Sequence, residues 1–328
     1  MKKNIKFIVL SCMLILGAAC NEPWEEEVFT NYVGLKSPLN SSGVTNIYLP
    51  YEKDGKYIYQ LPVVVAGSQM LGKNLEVNIV EYPDTLDILN EARYNERDDL
   101  YYKLLPKDYY EFPSSYCHIP ADSCVGLFDI QFDFTGLDLR YNWVLPLRVA
   151  ESDSYTPNPR KHFSKALLRI MPYNDYSGTY SGTDTRIFIE DSNSNPISLA
   201  SRTFYVVDEK SVFLYAGDIS ANLKDREKYK IKLTFEDDGN LTVKQFDENN
   251  QIEFQLYKDH QPTYERRVEK DATRPHIERH YTTVRFNYSY NDITTYGEQN
   301  PIKYRVECVM LMQRTIDTLK PERDQIQW

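Results

Sequence analysis

Apolar and polar positions alternate with a period of two through much of the chain. Between Val125 and Phe134, the residues Phe128, Ile130, Phe132 and Phe134 fall on one side, and Asp129, Gln131 and Asp133 on the other. That period places one face of a strand in a core and the other in water. Thr45–Leu49, Tyr57–Val65, Leu75–Val80, Tyr141–Val149 and Ala166–Ile170 are further β-rich runs, punctuated by Gly, Pro and Asn. Helical spacing interrupts them once: Thr85, Ile88, Leu89 and Ala92 recur at i, i+3, i+4 and i+7, with Asp84 placed to cap the start. Residues 28–172 are therefore expected to form a β-sandwich with one short crossover helix.

Past Met171-Pro172-Tyr173-Asn174-Asp175 the strand patterns lengthen. Tyr229–Phe235 and Asn240–Phe246 flank the turn signal Asp237-Asp238-Gly239, so that Leu241, Val243 and Gln245 answer Ile231, Leu233 and Phe235. His280–Tyr290 carries Thr282, Val284, Phe286, Tyr288 and Tyr290 on one side, and Pro301–Met312 supplies a last strand. Residues 173–328 are expected to hold roughly six to eight meandering antiparallel strands, as a barrel or a second sandwich.

The N-terminus follows a different pattern. Lys2, Lys3 and Lys6 precede the apolar run Phe7–Leu16, and Gly17, Ala18 and Ala19 lead into Cys20. These features predict a signal peptide over residues 1–19. Its apolar run is shorter than the ~20 residues that cross a bilayer. A cysteine directly after the small residues marks a lipoprotein, with Cys20 as the lipid acceptor, although Gly17 stands where that pattern prefers Leu. Each buried methylene of the lipid contributes about 0.8 kcal/mol to anchoring. Residues 20–27 then form an acidic tether containing Glu22, Glu25, Glu26 and Glu27.

The chain has 38 basic and 48 acidic residues, and loss of the leader's three lysines takes its net charge from −10 to −13. Such a charge repels nucleic acid. It also disfavours an anionic polysaccharide unless a local basic patch receives it, while a neutral glycan is indifferent to it. The 27 tyrosines offer ring area and a hydroxyl handle, the chemistry a sugar needs. Tyr288, Tyr290 and Tyr296, with Asn291, form the candidate ligand-binding cluster; in the competing reading Tyr288 and Tyr290 line the core. Trp143, flanked by Val144 and Leu145, reads as core.

Cys117 and Cys124 flank His118–Ser123. A two-residue hairpin loop at Pro120-Ala121 would set them opposite each other, ~4.5–5.5 Å apart, which suits a disulfide; two reduced thiols are the equal alternative. Cys308 is expected to pack as a small apolar residue. His276 and His280 lie four apart, ~13 Å on a strand, too far to share one zinc. There is no G-x-S-x-G elbow and no P-loop. No catalytic residue, metal or cofactor is assigned, and a non-enzyme is expected.

Tyr101–Tyr110 and Tyr141–Val149 resemble segments of a β-sandwich domain of unknown function common in Bacteroidota lipoproteins, which also precedes the catalytic domain of some family 18 endoglycosidases. The second half, from Tyr176-Ser177-Gly178-Thr179-Tyr180 to Tyr304–Cys308 and on to Trp328, resembles the lipocalin-like domain that follows that sandwich in surface glycan-binding lipoproteins. The acidic residues after Cys20 resemble the export signal that sends such lipoproteins to the outer face of the outer membrane. The resemblance implies an all-β chain: an immunoglobulin-like β-sandwich with one short helix, then a lipocalin-like antiparallel β-barrel. It further implies non-catalytic glycan capture, encoded in a polysaccharide-utilisation locus beside a TonB-dependent transporter and its lipoprotein lid. Two alternatives accompany it: a scaffold of that complex, and a carrier of a small apolar ligand inside the barrel.

Overall fold

The computed structural model describes residues 31–67, 71–247, 249, 251–258, 260–321 and 324–327; Cys20, the leader and the acidic tether lie outside the described residues. The first domain contains β1 (Tyr32–Leu35), β2 (Thr45–Pro50), β3 (Lys56–Ala66), β4 (Leu75–Glu81), β5 (Tyr116–Ile119), β6 (Val125–Asp133), β7 (Trp143–Val149) and β8 (Lys165–Tyr173). One sheet runs β1-β3-β6, edged by Thr156–Pro157 and Tyr110–Glu111; the other runs β2-β8-β7-β4-β5. Strand alternation builds the core between them. Val33, Leu61, Phe128 and Ile130 from the first sheet meet Ile47, Ile79, Leu145 and Leu168 from the second, all fully buried. Each such side chain contributes about 1.5–3 kcal/mol relative to exposure.

The helix α1 spans Asp84–Tyr94, but its buried face is not the expected one. Leu86 and Asn90 are buried and Leu89 packs beside them, whereas Ile88 is 68% exposed. Asn90 causes the rotation: its Nδ2 donates to the carbonyl of Tyr102 and its Oδ1 accepts from the Tyr102 N–H, both at 2.9 Å. A polar side chain with both bonds made is stable inside, so it displaces the apolar stripe. Asp84 is the first helical residue rather than the cap, which is Pro83.

Cys117 and Cys124 are not joined by a two-residue hairpin at Pro120-Ala121. β5 pairs with β4, Cys117 opposite Val77, while β6 pairs with β3, Val125 opposite Val64. Residues 120–124 therefore carry the chain from one sheet to the other instead of turning within one. Cys117 is buried in the core, Cys124 faces solvent, and both are free thiols. Cys308 is free and buried, as a small apolar residue would be.

The second domain contains β9 (Gly178–Ser181), β10 (Arg186–Ile189), β11 (Ser201–Asp208), β12 (Ser211–Tyr215), β13 (Lys230–Phe235), β14 (Leu241–Gln245), β15 (Thr263–Lys270), β16 (Ile277–Asp292) and β17 (Ile302–Asp317). Its sheet runs β15-β16-β17-β9-β11-β12-β13-β14, with β10 also paired to β17. A bridge between Asn240 and Thr263, with Leu241 N–H donating to Pro262 O at 3.0 Å, joins the two ends and closes the barrel. Phe235, Leu233 and Ile231 lie opposite Leu241, Val243 and Gln245, the register expected from the Asp237-Asp238-Gly239 turn.

Aromatic rings fill the barrel. Tyr180, Phe204, Phe235, Phe286, Tyr288 and Tyr290 are each 2% exposed or less. Tyr180 stacks on Phe204 at 4.0 Å and Phe286 on Tyr288 at 5.5 Å between centroids. This packing occupies the space that a small apolar cargo would need, which removes the support for the barrel as a carrier.

Four residues connect β8 to β9. Asn174 holds them: Nδ2 donates to the carbonyls of Asp208 (2.7 Å) and Ser211 (3.1 Å), and Oδ1 accepts from the N–H groups of Tyr176 (3.0 Å) and Ser177 (2.8 Å). Arg314 from β17 donates to the carbonyls of Asn174 (3.1 Å) and Ser177 (2.7 Å). The last strand of the sandwich thus passes into the barrel wall without a free linker.

Candidate functional site

The join between the domains leaves a cavity of about 590 Å³. Alternation along β8 supplies one wall. Leu168 and Ile170 point into the sandwich core, so Arg169, Met171 and Tyr173 point out of it. β2 runs parallel to β8 and sets Tyr48 beside Met171. Tyr141, Asn142 and Trp143 reach the same space at the start of β7. The barrel supplies the opposite wall. Thr203 and Tyr205 face outwards from β11, and β12 is buried on both sides, with Phe213 and Tyr215 turned towards the first domain. Tyr205 stacks on Phe213 at 4.9 Å.

Trp143 is half-buried and lines this cavity rather than lying wholly in the core. Its Nε1–H donates to the carbonyl of Asp138 at 2.8 Å, and Tyr141 meets it edge-on at 5.7 Å. That hydrogen bond fixes the indole plane while part of the ring stays open.

Charged pairs hold the two walls together. Arg226 of the barrel domain donates to Asp99 of the sandwich through Oδ2 (2.8 Å) and the carbonyl (2.6 Å). Arg97 completes the clamp, reaching Asp99 Oδ1 at 2.7 Å and the carbonyl of Asn222 at 2.8 Å. The Arg97 guanidinium, helped by Arg226, holds the Asp99 carboxyl well below the usual carboxylate range. Arg140 bonds Asp138 at 2.6–2.8 Å, lies 3.6 Å from Asp247 of the barrel domain and stacks over Phe246. On the outer face of the barrel, against the same rings, Lys230 is fully buried, its ammonium 4.5 Å from the Phe213 ring centroid and paired with Glu227. Burial lowers its pKa.

A second concavity, about 1180 Å³, lies on the sandwich among Lys56, Ile58, Lys107, Tyr110, Phe112 and Asp133. There the Lys107 ammonium already sits over the Tyr110 and Phe112 rings, at 4.7 and 5.0 Å, and pairs with Glu81. A lysine caps a ring in the cleft as well, Lys103 over Tyr141 at 3.2 Å; what sets the interdomain cleft apart is that residues of both domains enclose it, Trp143 and Tyr205 among them.

The tyrosines singled out from the sequence do not converge on a surface. Tyr288 and Tyr290 point into the barrel, where the Tyr288 hydroxyl accepts from Gly217 N–H at 2.8 Å and Tyr290 stacks on Tyr304 at 5.3 Å. Burial raises both phenols. Asn291 is buried too, its Nδ2 donating to Glu253 Oε2 at 2.8 Å. Tyr296 alone is on the surface, 70% exposed in the loop after β16. The physical reason is strand parity: Phe286, Tyr288 and Tyr290 share the inward face of one long strand, and Tyr296 lies beyond its end.

The fold defines an all-β, two-domain protein with a cleft at the domain join. A family model described as a domain of unknown function (DUF4973) matches residues 24–154, and a second, for a C-terminal domain, matches residues 164–311. A solved protein of unknown function from Bacteroides ovatus is 41% identical, with 90% of this chain and 100% of that chain aligned at a TM-score of 0.81. A multidomain protein including DUF1735, also from Bacteroides ovatus, is 40% identical over 90% of this chain and 100% of its own, at 0.81. An auxiliary nutrient binding protein from Bacteroides thetaiotaomicron is 36% identical over 89% of this chain and 98% of its own, at 0.78. None of the curated proteins matches. The chain belongs to the same family as these Bacteroides proteins.

Proposed function

We propose that this chain is a cell-surface lipoprotein of the outer membrane that binds a glycan without catalysis and passes it to a TonB-dependent transporter. The cleft carries this reading: Tyr48, Tyr141, Trp143 and Tyr205 surround a space of about 590 Å³ in which Asn142 and Arg169 offer polar partners. Ligand sites concentrate at domain joins, lined by aromatic groups with a few convergent polar ones. Tyrosine and tryptophan rings match the apolar face of a pyranose, and amide and guanidinium groups match its hydroxyls. A relative 36% identical to this chain is an auxiliary nutrient binding protein, which supports uptake as the setting. Cys20 supplies the anchor in this reading, as the residue that directly follows the small residues of the leader.

The test is affinity electrophoresis of the soluble chain from Asn21 to Trp328 through gels containing polysaccharides and glycoproteins. At least one glycan should retard it. Trp143→Ala and Tyr205→Ala should abolish the retardation, and Tyr296→Ala should leave it intact. Retardation that survives both cleft variants would move the site elsewhere. Free migration through every gel would favour a scaffold. In cells, radiolabelled palmitate should enter the wild-type chain and not Cys20→Ala.

A further inference from the structure

The side chains lining the cleft carry four arginines, Arg140, Arg169, Arg226 and Arg314, and no aspartate or glutamate. This composition runs against a chain in which 48 acids outnumber 38 bases. Three of the four guanidiniums are used by the protein itself. Arg140 is held by Asp138, Arg226 by Asp99, and Arg314 by the carbonyls of Asn174 and Ser177.

Arg169 is different. Among the described residues no carboxylate lies within 4.0 Å of its guanidinium. One terminal nitrogen donates to Asn142 Oδ1 at 2.6 Å, and the group stands 5.7 Å from the Tyr102 ring centroid. Its Nε is buried without an acceptor. The charge reaches across the cleft to Tyr205, where it opposes the burial that raises that phenol. A half-buried cation surrounded by rings and lacking a carboxylate partner is incompletely compensated by its own protein. A planar carboxylate is the natural complement of a guanidinium.

Resting on the glycan-binding reading above, we infer that the cleft takes a glycan bearing carboxylate sugars, with Arg169 as the group that receives the acid. The local patch does what the acidic surface as a whole cannot: it makes an anionic sugar favourable at one place. Rings at Trp143 and Tyr205 take the sugar faces, and Arg169 distinguishes a uronic acid from its neutral counterpart.

Isothermal titration calorimetry of the soluble chain tests this directly. The probes are fragments of homogalacturonan, alginate and hyaluronan, each beside the same fragment with its carboxyl groups reduced to alcohols. At least one acidic fragment should bind tenfold or more tightly than its reduced form. Arg169→Gln should erase that difference with an unchanged thermal melt, and Arg169→Lys should keep part of it. Equal binding of acidic and reduced fragments, or binding of neutral glycans alone with loss in Trp143→Ala, would overturn the acid specificity while leaving glycan capture standing. Absence of binding by acidic, reduced and neutral glycans alike would overturn both.

Discussion

Burial pushes the Cys117 thiol up to about 11, while Cys124 lies on the surface with its sulfur in reach of solvent. The thiolate is the reactive form. In the folded chain from Asn21 onwards, iodoacetamide at pH 8 should therefore label Cys124 alone, and denaturant should then expose Cys117 and Cys308. Mass spectrometry of tryptic peptides reads the outcome. If Cys124 became reactive only after a reductant, a disulfide would have to replace the two free thiols. The same scale decides the role of Tyr288. Its hydroxyl satisfies the Gly217 N–H inside the barrel, and Gly217 itself has a φ of +50° with no room for a Cβ beside Tyr290. Tyr288→Phe should cost about 1–3 kcal/mol by orphaning that donor, seen as a lower melting temperature. Migration through a glycan gel should not change, because the ring faces the core rather than a ligand.

At the scale of elements, local pattern was legible wherever a strand has one wet and one dry face. The buried face of β6 and the register of the β13–β14 hairpin could be read from alternation alone, because a one-residue slip would expose every apolar side chain. The face of α1 could not be read, since a buried asparagine with two backbone partners has no apolar signature. The crossing from β5 to β6 was hidden for a different reason: a short loop between sheets carries the same Pro and Asp as a hairpin. The cleft was harder still. Arg169, Tyr173 and Tyr205 occupy the polar-looking faces of their strands, and those faces become a site only when the second domain covers them. One signal of the cleft does lie in the sequence. Ser211–Tyr215 is buried at every position, and the unbroken run Val212-Phe213-Leu214-Tyr215 marks a strand covered on both faces. The outer half of that cover is the first domain.

The whole molecule depends on the pairs that cross the join. The Asp99 carboxyl is held below its unfolded value of about 3.9 by Arg97 and Arg226. A depressed folded pKa gives stability that is complete above the unfolded value and lost as pH falls through the folded one. The wild type should therefore lose stability on acidification below about pH 4, from this pair among other carboxylates. Asp99→Asn should be less stable at pH 7 by about 1.5–3 kcal/mol, the range for a hydrogen bond to a charged group. The gap between variant and wild type should narrow as the buffer is made more acid. Thermal melts of both proteins between pH 7 and pH 3 measure that gap, and a constant difference would remove Asp99 from the account of the clamp.

The short junction at Asn174 has a consequence for traffic through the cleft. Because β8 continues into β9 with its turn fixed by hydrogen bonds, both walls stand assembled before any ligand arrives. Capture then surrenders little orientational entropy, since no pair of domains has to be brought together. In the proposed function, release likewise needs no hinge opening, so the sugar's own contacts set the residence time. On that reading a glycan enters and leaves a cleft that is already formed, and handing it onward requires no movement of one domain against the other.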